Sequence, residues 1–322
     1  MIIHTADDIT PAVLSELQRA ASPRFRAIMS AAVRHLHGFA REAQLTEGEF
    51  HQACAWIARL GQLTTASHNE VVLAAGSLGL SSLVCLLNNG NGGQSETTAN
   101  LMGPFWRKDS PRVAHGGSIV RGATQGTPIF VTAWVRDSAG RAVAGAEVDV
   151  WHSSDEGFYE SQDPAQADMN LRGKLTTNER GQIAFRSLKP LGYPIPVGGP
   201  VGELLRAQGR HNMRPAHIHF MIHKPGFKTQ FTQVYASDDP HLDSDVQFAV
   251  TRALVGQMVR HADEPAPDAD GVGDVVGDVV GDWYSLDHHF VIEPGDDRLP
   301  PAPISAKAEG PRPQRVVLDR RD

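Results

Sequence analysis

Up to residue 88 the apolar positions recur at steps of three and four, the spacing that lines one face of a helix. Thr10-Pro11 sets a capping hydroxyl before a proline at the first helical position, followed by Val13, Leu14 and Leu17. Ser22-Pro23 repeats that start signal, and Phe25, Ile28, Met29, Ala32, Val33, Leu36 and Phe39 form the stripe behind it. Thr46-Glu47-Gly48-Glu49 fits a capping box ahead of Phe50, Ala53, Cys54 and Ile57. A fourth helix is predicted over residues 69–87, stopped by Asn88-Asn89-Gly90-Asn91-Gly92-Gly93. Such faces must be covered, either by one another or by a second copy of the chain.

From Gly103 the period changes. Residues 128–135 are rich in β-branched and aromatic side chains and stop at Asp137-Ser138-Ala139-Gly140; residues 146–151 then alternate, which reads as a hairpin. Leu175-Thr176-Thr177, a turn at Asn178-Glu179-Arg180-Gly181, and Ile183-Ala184-Phe185 read as a second one. Further strands are predicted over residues 217–222, 229–235 and 288–292. The fold class is α+β: helices over residues 1–102, a β-sandwich over 103–293 and a tail over 294–322 that carries six prolines and is expected to be extended or partly disordered. Residues 271–282 repeat Gly, Asp and Val in steps of four, as in a loop expanded by duplication, and a calcium-binding loop is a minor alternative.

Composition narrows the function. Lys+Arg 30 against Asp+Glu 37 gives a net charge of −7 without a long basic run, which argues against nucleic acid or an anionic membrane as partner. No apolar stretch reaches the 18 or so residues that a spanning helix needs. The N-terminus has no signal-peptide pattern, and two cysteines fit a reducing compartment, so a cytoplasmic location is expected. Histidine, 15 in number, is left as the main carrier of chemistry.

CxxC, HExxH, GxSxG and P-loop motifs are all missing. In Arg214-Pro215-Ala216-His217-Ile218-His219-Phe220, side chains two apart on a strand share a face, so His217 and His219 form a ready metal pair. Ordinary hydrogen-bonded histidines are the alternative at this point. Of only four tyrosines, Tyr159 follows a predicted strand and Tyr193 sits in the rigid turn Pro190-Leu191-Gly192-Tyr193-Pro194-Ile195-Pro196. Phenolate is a hard anionic ligand suited to ferric iron, whereas zinc sites favour imidazole, thiolate and carboxylate.

Several motifs in order carry a family likeness: Gly103-Pro104-Phe105-Trp106, Asp149-Val150-Trp151, Gly157-Phe158-Tyr159, Asn170-Leu171-Arg172-Gly173, Tyr193-Pro194-Ile195-Pro196, Gly199-Pro200, Arg214 through Phe220, and Asp243-Ser244-Asp245. With the helical stretch over residues 34–87, the chain resembles the intradiol ring-cleaving dioxygenases over residues 20–295, above all the hydroxyquinol and (chloro)catechol 1,2-dioxygenases. The resemblance implies one non-haem Fe(III) per subunit held by Tyr159, Tyr193, His217 and His219, with Arg214 and Gln233 beside the bound ring and Tyr193 taking a proton from the diol. It implies O2-dependent cleavage between two hydroxylated carbons, giving a muconate from a catechol or 3-hydroxymuconate and then maleylacetate from hydroxyquinol. It further implies a homodimer through the N-terminal helices, with lipid-like molecules bound there. Leu73, Gly76, Leu101, Pro104, Phe105, Val246 and Gln247 are expected to line the ring pocket. Gly76 departs from the hydroxyquinol branch, which commonly has an aspartate there, and is expected to widen the pocket; Gln247 is a second departure. Hydroxyquinol or a substituted catechol is the expected substrate, plain catechol or chlorocatechol the alternative. A sandwich that binds partners without iron is the reading from another class.

Overall fold

The computed structural model describes residues 2–65, 68–88, 97–267 and 281–320. The chain divides into two compact units, residues 1–59 and 60–322, with α3 running across the division.

In the first unit α1 (Ala6–Leu17) packs on α2 (Pro23–Glu42), and α3 (Glu47–Gln62) follows. Ser22 caps α2, its Oγ accepting the Phe25 N–H at 3.2 Å, and Thr46 and Glu49 form the expected capping box. α1 begins earlier than Thr10-Pro11 suggested. The Asp8 carboxylate accepts the Thr5 and His4 N–H groups at 2.8 and 3.0 Å, which satisfies the free end of a helix starting at Ala6 and leaves Pro11 inside it. The α2 stripe stays largely uncovered, with Phe25, Ile28, Leu36 and Phe39 about half exposed or more.

The second unit opens with two helices where one was expected, α4 (Glu70–Ser77) and α5 (Leu80–Asn88), bent by 78°. Gly79 at φ +73 makes the corner, a conformation that carries no penalty without a Cβ. No single helix among the described residues is long and apolar enough to cross a membrane; the bent α4–α5 pair matches a span by length and composition only. The glycine-rich stop from residue 89 and the repeat through residue 280 lie outside the described residues.

Eleven strands follow among the described residues: β1 (Pro128–Asp137), β2 (Glu147–His152), β3 (Arg172–Thr176), β4 (Gln182–Leu188), β5 (Tyr193–Pro194), β6 (Met213–Arg214), β7 (His217–His223), β8 (Gln230–Ala236), β9 (Val255–Gly256), β10 (Met258–His261) and β11 (Trp283–Ile292). A further helix, α6 (Pro200–Ala207), lies between β5 and β6. One sheet has the order β10-β11-β1-β4, the other β3-β2-β7-β8-β9. Val131, Val135, Phe185 and Phe290 of the first belong to the same buried core as Val148, Val150, Ile218 and Phe220 of the second, as in a sandwich.

Both expected hairpins are corrected by the pairing. β1 pairs with β11 and β4, and β2 with β3 and β7, so each predicted turn carries the chain from one sheet to the other. The turn chemistry was sound: the Asn178 side chain accepts the Arg180 and Gln182 N–H groups, and Gly181 has φ +72. A turn motif specifies a reversal but not a partner strand. Here Leu175 of β3 and Ile183 and Phe185 of β4 meet in one buried core from opposite sheets.

Candidate metal centre

Strand parity sends Ile218 and Phe220 into the sandwich core, so His217 and His219 project from the opposite face of β7. Register then chooses their neighbours. Trp151 of β2 and Gln233 of β8 flank His219, and Tyr235 stands opposite His217. The loop after β2 carries Tyr159 over this face, and β5, paired to β6, sets Tyr193 against Arg214.

Four donor atoms converge there. Tyr159 Oη lies 3.1 Å from His219 Nε2, 3.3 Å from His217 Nε2 and 3.5 Å from Tyr193 Oη, and the two Nε2 atoms are 3.1 Å apart. His217 Nδ1 faces the Pro215 carbonyl at 2.7 Å; a carbonyl only accepts, so this nitrogen holds the proton and Nε2 offers a lone pair. Burial, reinforced by Arg214 at His217 and by His217 at His219, holds both imidazoles well below their usual pKa. Burial also pushes the Tyr159 phenol well above its usual value, with Tyr193 adding to the effect.

This cluster fits a cation. Donors bound at roughly 2.0–2.2 Å to one metal stand about 3 Å apart, close to the separations here. Buried His219 Nδ1 has no hydrogen-bond partner, so either tautomer leaves a polar atom of that ring unsatisfied while its Nε2 faces other lone pairs. Among the described residues no group of three His, Cys, Asp or Glu forms a metal site. The set is completed by phenols, and two phenolates with two neutral imidazoles suit a hard trivalent ion better than zinc.

The surroundings fix these donors. The His219 ring stacks on Trp151 at 4.7 Å and 8°. On Gly103, at φ +71, a Cβ would come within 3.2 Å of His219 Cε1, so both conformation and space call for glycine. Phe105 stacks on Tyr159 at 4.4 Å. Beneath that stack, buried Arg172 donates from Nε to Glu160 at 2.6 Å and from Nη1 to the Phe105 carbonyl at 2.7 Å. Arg107 reaches the same Glu160 oxygen at 3.0 Å.

Arg214 is 3% exposed and bonds to Asp245 through Nε at 3.2 Å. Its Nη2 donates to Tyr235 Oη at 3.0 Å and Gln233 Oε1 at 3.2 Å, and Nη1 is 3.4 Å from His217 Nε2. Burial opposes this cation most strongly, but Asp245, Tyr235 and Tyr193 together outweigh it and hold the guanidinium well above its ordinary pKa. Gln233 is anchored in turn by donating to the Leu101 carbonyl at 2.7 Å.

A largely apolar cavity of about 200 Å³ opens beside Tyr193 and Arg214. A cavity of about 150 Å³ can hold a benzene, so the size suits one substituted ring. Leu73, Leu101, Pro104, Phe105 and Gln247 of the expected set line it, whereas Gly76 and Val246 do not. The backbone of Val246 is taken up by Met213 and Arg210, at 3.2 and 2.8 Å. Gly76 does not widen the pocket: the Gln247 amide fills the space, its Oε1 only 1.7 Å from where a Cβ on residue 76 would stand.

Sequence reasoning missed Val72, Ser81, Ile195, Pro196 and Pro303 on the cavity wall, and Asp245 and Tyr235 as partners of Arg214. Tyr235 was within reach, two residues beyond Gln233 on the same strand face; Pro303, from the tail, had no local signal.

Comparison with known proteins shows the family. The "Dioxygenase" family model matches residues 101–276 and "Catechol dioxygenase N terminus" matches 22–95. A 6-chlorohydroxyquinol 1,2-dioxygenase of Cupriavidus pinatubonensis is 38% identical over 89% of this chain and 97% of its own length. A catechol 1,2-dioxygenase of Candida albicans is 36% identical over 76% of this chain and 82% of its own. The solved structure of hydroxyquinol 1,2-dioxygenase from Pseudomonas putida DLL-E4 superposes with a TM-score of 0.80 at 36% identity, over 90% of this chain and 99% of that one. The chain belongs to the intradiol catechol dioxygenase family. It is an intradiol ring-cleavage dioxygenase, of a family that uses non-haem iron.

Proposed function

We propose that Tyr159, Tyr193, His217 and His219 hold one Fe(III) per subunit and that the enzyme cleaves hydroxyquinol or a substituted catechol with O2. The observation that carries this reading is the convergence of four donors beside a ring-sized apolar cavity walled by Arg214 and Tyr193. Iron held by these four residues would supply Lewis-acid activation of the diol towards O2. Tyr193 Oη accepts a proton from the incoming diol. The Arg214 guanidinium, oriented by Asp245, Gln233 and Tyr235, stabilises the negative charge that builds on the ring. Leu73, Leu101, Pro104 and Phe105 keep water from the bound diol.

The substrate assignment rests on Gln247. Its amide, 3.1 Å from Ser77 Oγ, is a polar group on a largely apolar wall and can hydrogen-bond a third ring hydroxyl in place of a carboxylate at position 76. Two relatives named for hydroxyquinol substrates support this, and the Candida relative named for catechol supports the alternative. A panel of hydroxyquinol, chlorocatechols and catechol, read by ring-cleavage product, tests it; a clear preference for catechol overturns it. Purified protein should be red to burgundy from ferric phenolate charge transfer, and Tyr193→Phe or His219→Ala should lose colour or activity.

The same reading makes the enzyme a homodimer. The exposed Phe25, Ile28, Leu36 and Phe39 of α2 are the surface we assign to the partner copy. Sedimentation of the wild type against a Leu36→Glu variant tests it.

A further inference from the structure

The proline-rich segment after β11 has neither helix nor strand, yet it is fastened to the second unit along most of its length. It leaves the sandwich beside the β7–β8 turn, where the Gly295 N–H donates to the Gly226 carbonyl at 3.2 Å. Pro303 then forms part of the cavity wall that also holds Tyr193, and Ile304 beside it is 2% exposed. Beyond this point the segment follows the loop that carries Tyr159. The Ala308 N–H donates to the Ser161 carbonyl at 2.7 Å, and Lys307 reaches the Gln166 carbonyl. Arg312 pairs with Glu156 and, at 2.9 Å, with Asp163, and its guanidinium lies 4.9 Å from the Phe158 ring centre. Asn212 closes the run: its Nδ2 donates to the Val316 carbonyl at 2.9 Å and its Oδ1 accepts the Leu318 N–H at 2.8 Å.

Arg315 joins the two tyrosine-bearing loops. Its Nη1 donates to the Glu156 carbonyl at 3.3 Å, three residues before Tyr159, and its Nη2 to the Gly192 carbonyl at 3.2 Å, next to Tyr193. One planar guanidinium thus ties together two backbones that no strand pairing connects. We propose that residues 303–318 form a strap that sets the spacing of the Tyr159 and Tyr193 loops and walls the diol pocket, with Arg315 as its positioning residue. The inference rests on the assignment of both tyrosines as iron ligands. Fixing phenols relative to imidazoles is what a ligand set drawn from loops on one side and a strand on the other requires.

Arg315→Ala and Arg315→Lys in the full chain test it, because Arg315 is exposed and its removal leaves the core intact. Hydrogen exchange on iron-free protein is the readout that does not depend on the metal. In Arg315→Ala, amides of residues 156–163 and 190–193 should exchange about three- to tenfold faster, while those of β1 and β7 keep their rates. Arg315→Lys has no planar fork and should restore one loop at most. In the iron-loaded protein, Arg315→Ala should shift the visible charge-transfer band, speed loss of iron to a chelator and raise KM more than it lowers kcat. Wild-type exchange in both loops, with an unchanged band and unchanged iron release, overturns the strap. Tyr159→Phe and Tyr193→Phe separate the two claims. If both keep the wild-type band, the ligand assignment fails; if they lose it while Arg315→Ala matches wild type, the strap alone fails.

Discussion

Arg172→Leu removes the cation beneath the Tyr159–Phe105 stack, and its cost can be worked from the contacts. Arg172 is 1% exposed and donates to Glu160 at 2.6 Å and to the Phe105 carbonyl at 2.7 Å. Breaking one side of a buried ion pair costs roughly 3–5 kcal/mol, because the remaining charge keeps its desolvation penalty. Here Arg107 still reaches Glu160 at 3.0 Å, so the loss should sit at the low end, about 3 kcal/mol. For a unit of this size that is about a 10 °C fall in melting temperature. The partner control is Glu160→Leu with Arg172→Leu, which removes both charges and should recover more than half of the loss. Thermal or urea unfolding of the two single variants and the double variant completes the cycle. A single-variant loss under about 1 kcal/mol, or a double variant no better than Arg172→Leu, would refute the account.

Four further outcomes follow from other contacts in the second unit. Burial raises the Asp149 carboxyl to about 6 despite the Trp106 N–H at 3.1 Å, so its stability contribution is full below pH 3.8 and is lost as pH rises through 6. Asp149→Asn should therefore be neutral to stabilising by up to roughly 3 kcal/mol at pH 7, checked by unfolding midpoints against pH. Burial lowers His152 to about 4, so its contribution is full above pH 6.5 and fades as pH falls to 4; His152→Gln should flatten that limb of the same profile. Gly103→Ala forces a Cβ into φ +71 and against the His219 ring, and should cost about 1–2 kcal/mol and lower the iron content measured by metal analysis. Gly76→Ala should evict the Gln247 amide, which is flexible enough to swing away, and change KM ratios across the diol panel more than it changes melting temperature.

What the sequence made legible followed strong local rules. The alternation in residues 217–222 put both histidines on one face, and Ser22-Pro23 and Thr46–Glu49 marked real helix starts because capping chemistry is local. The helix over 69–87 failed at Gly79, where a positive φ was invisible behind continuous apolar residues. The hairpins failed because turn residues specify a reversal and only the core decides which strand receives it. At the site, the four tyrosine and histidine donors were readable from residue type and family likeness. The Gln247 side chain filling the absent Cβ of Gly76, 171 positions away, was not, since no spacing rule links residues met only through tertiary packing. The tail was read from composition alone as extended or partly disordered; it is extended, and Arg312 and Arg315 find their partners on the tyrosine-bearing loops, which composition does not show.

The parallel pairing of β1 with β11 brings residue 129 beside residue 284 and so sets the order in which the sandwich is finished. As the chain emerges from the ribosome, the sheet holding both histidines has all its strands by Gly256, while β1 has β4 on one edge and nothing on the other. Until Trp283–Ile292 arrives, that edge is unpaired and the core behind it half covered, the kind of surface that adheres to other chains. The interval is governed by the stretch between β10 and β11, where the Gly-Asp-Val repeat sits. Each four-residue repeat added to that stretch of sequence lengthens the interval before β11 can pair.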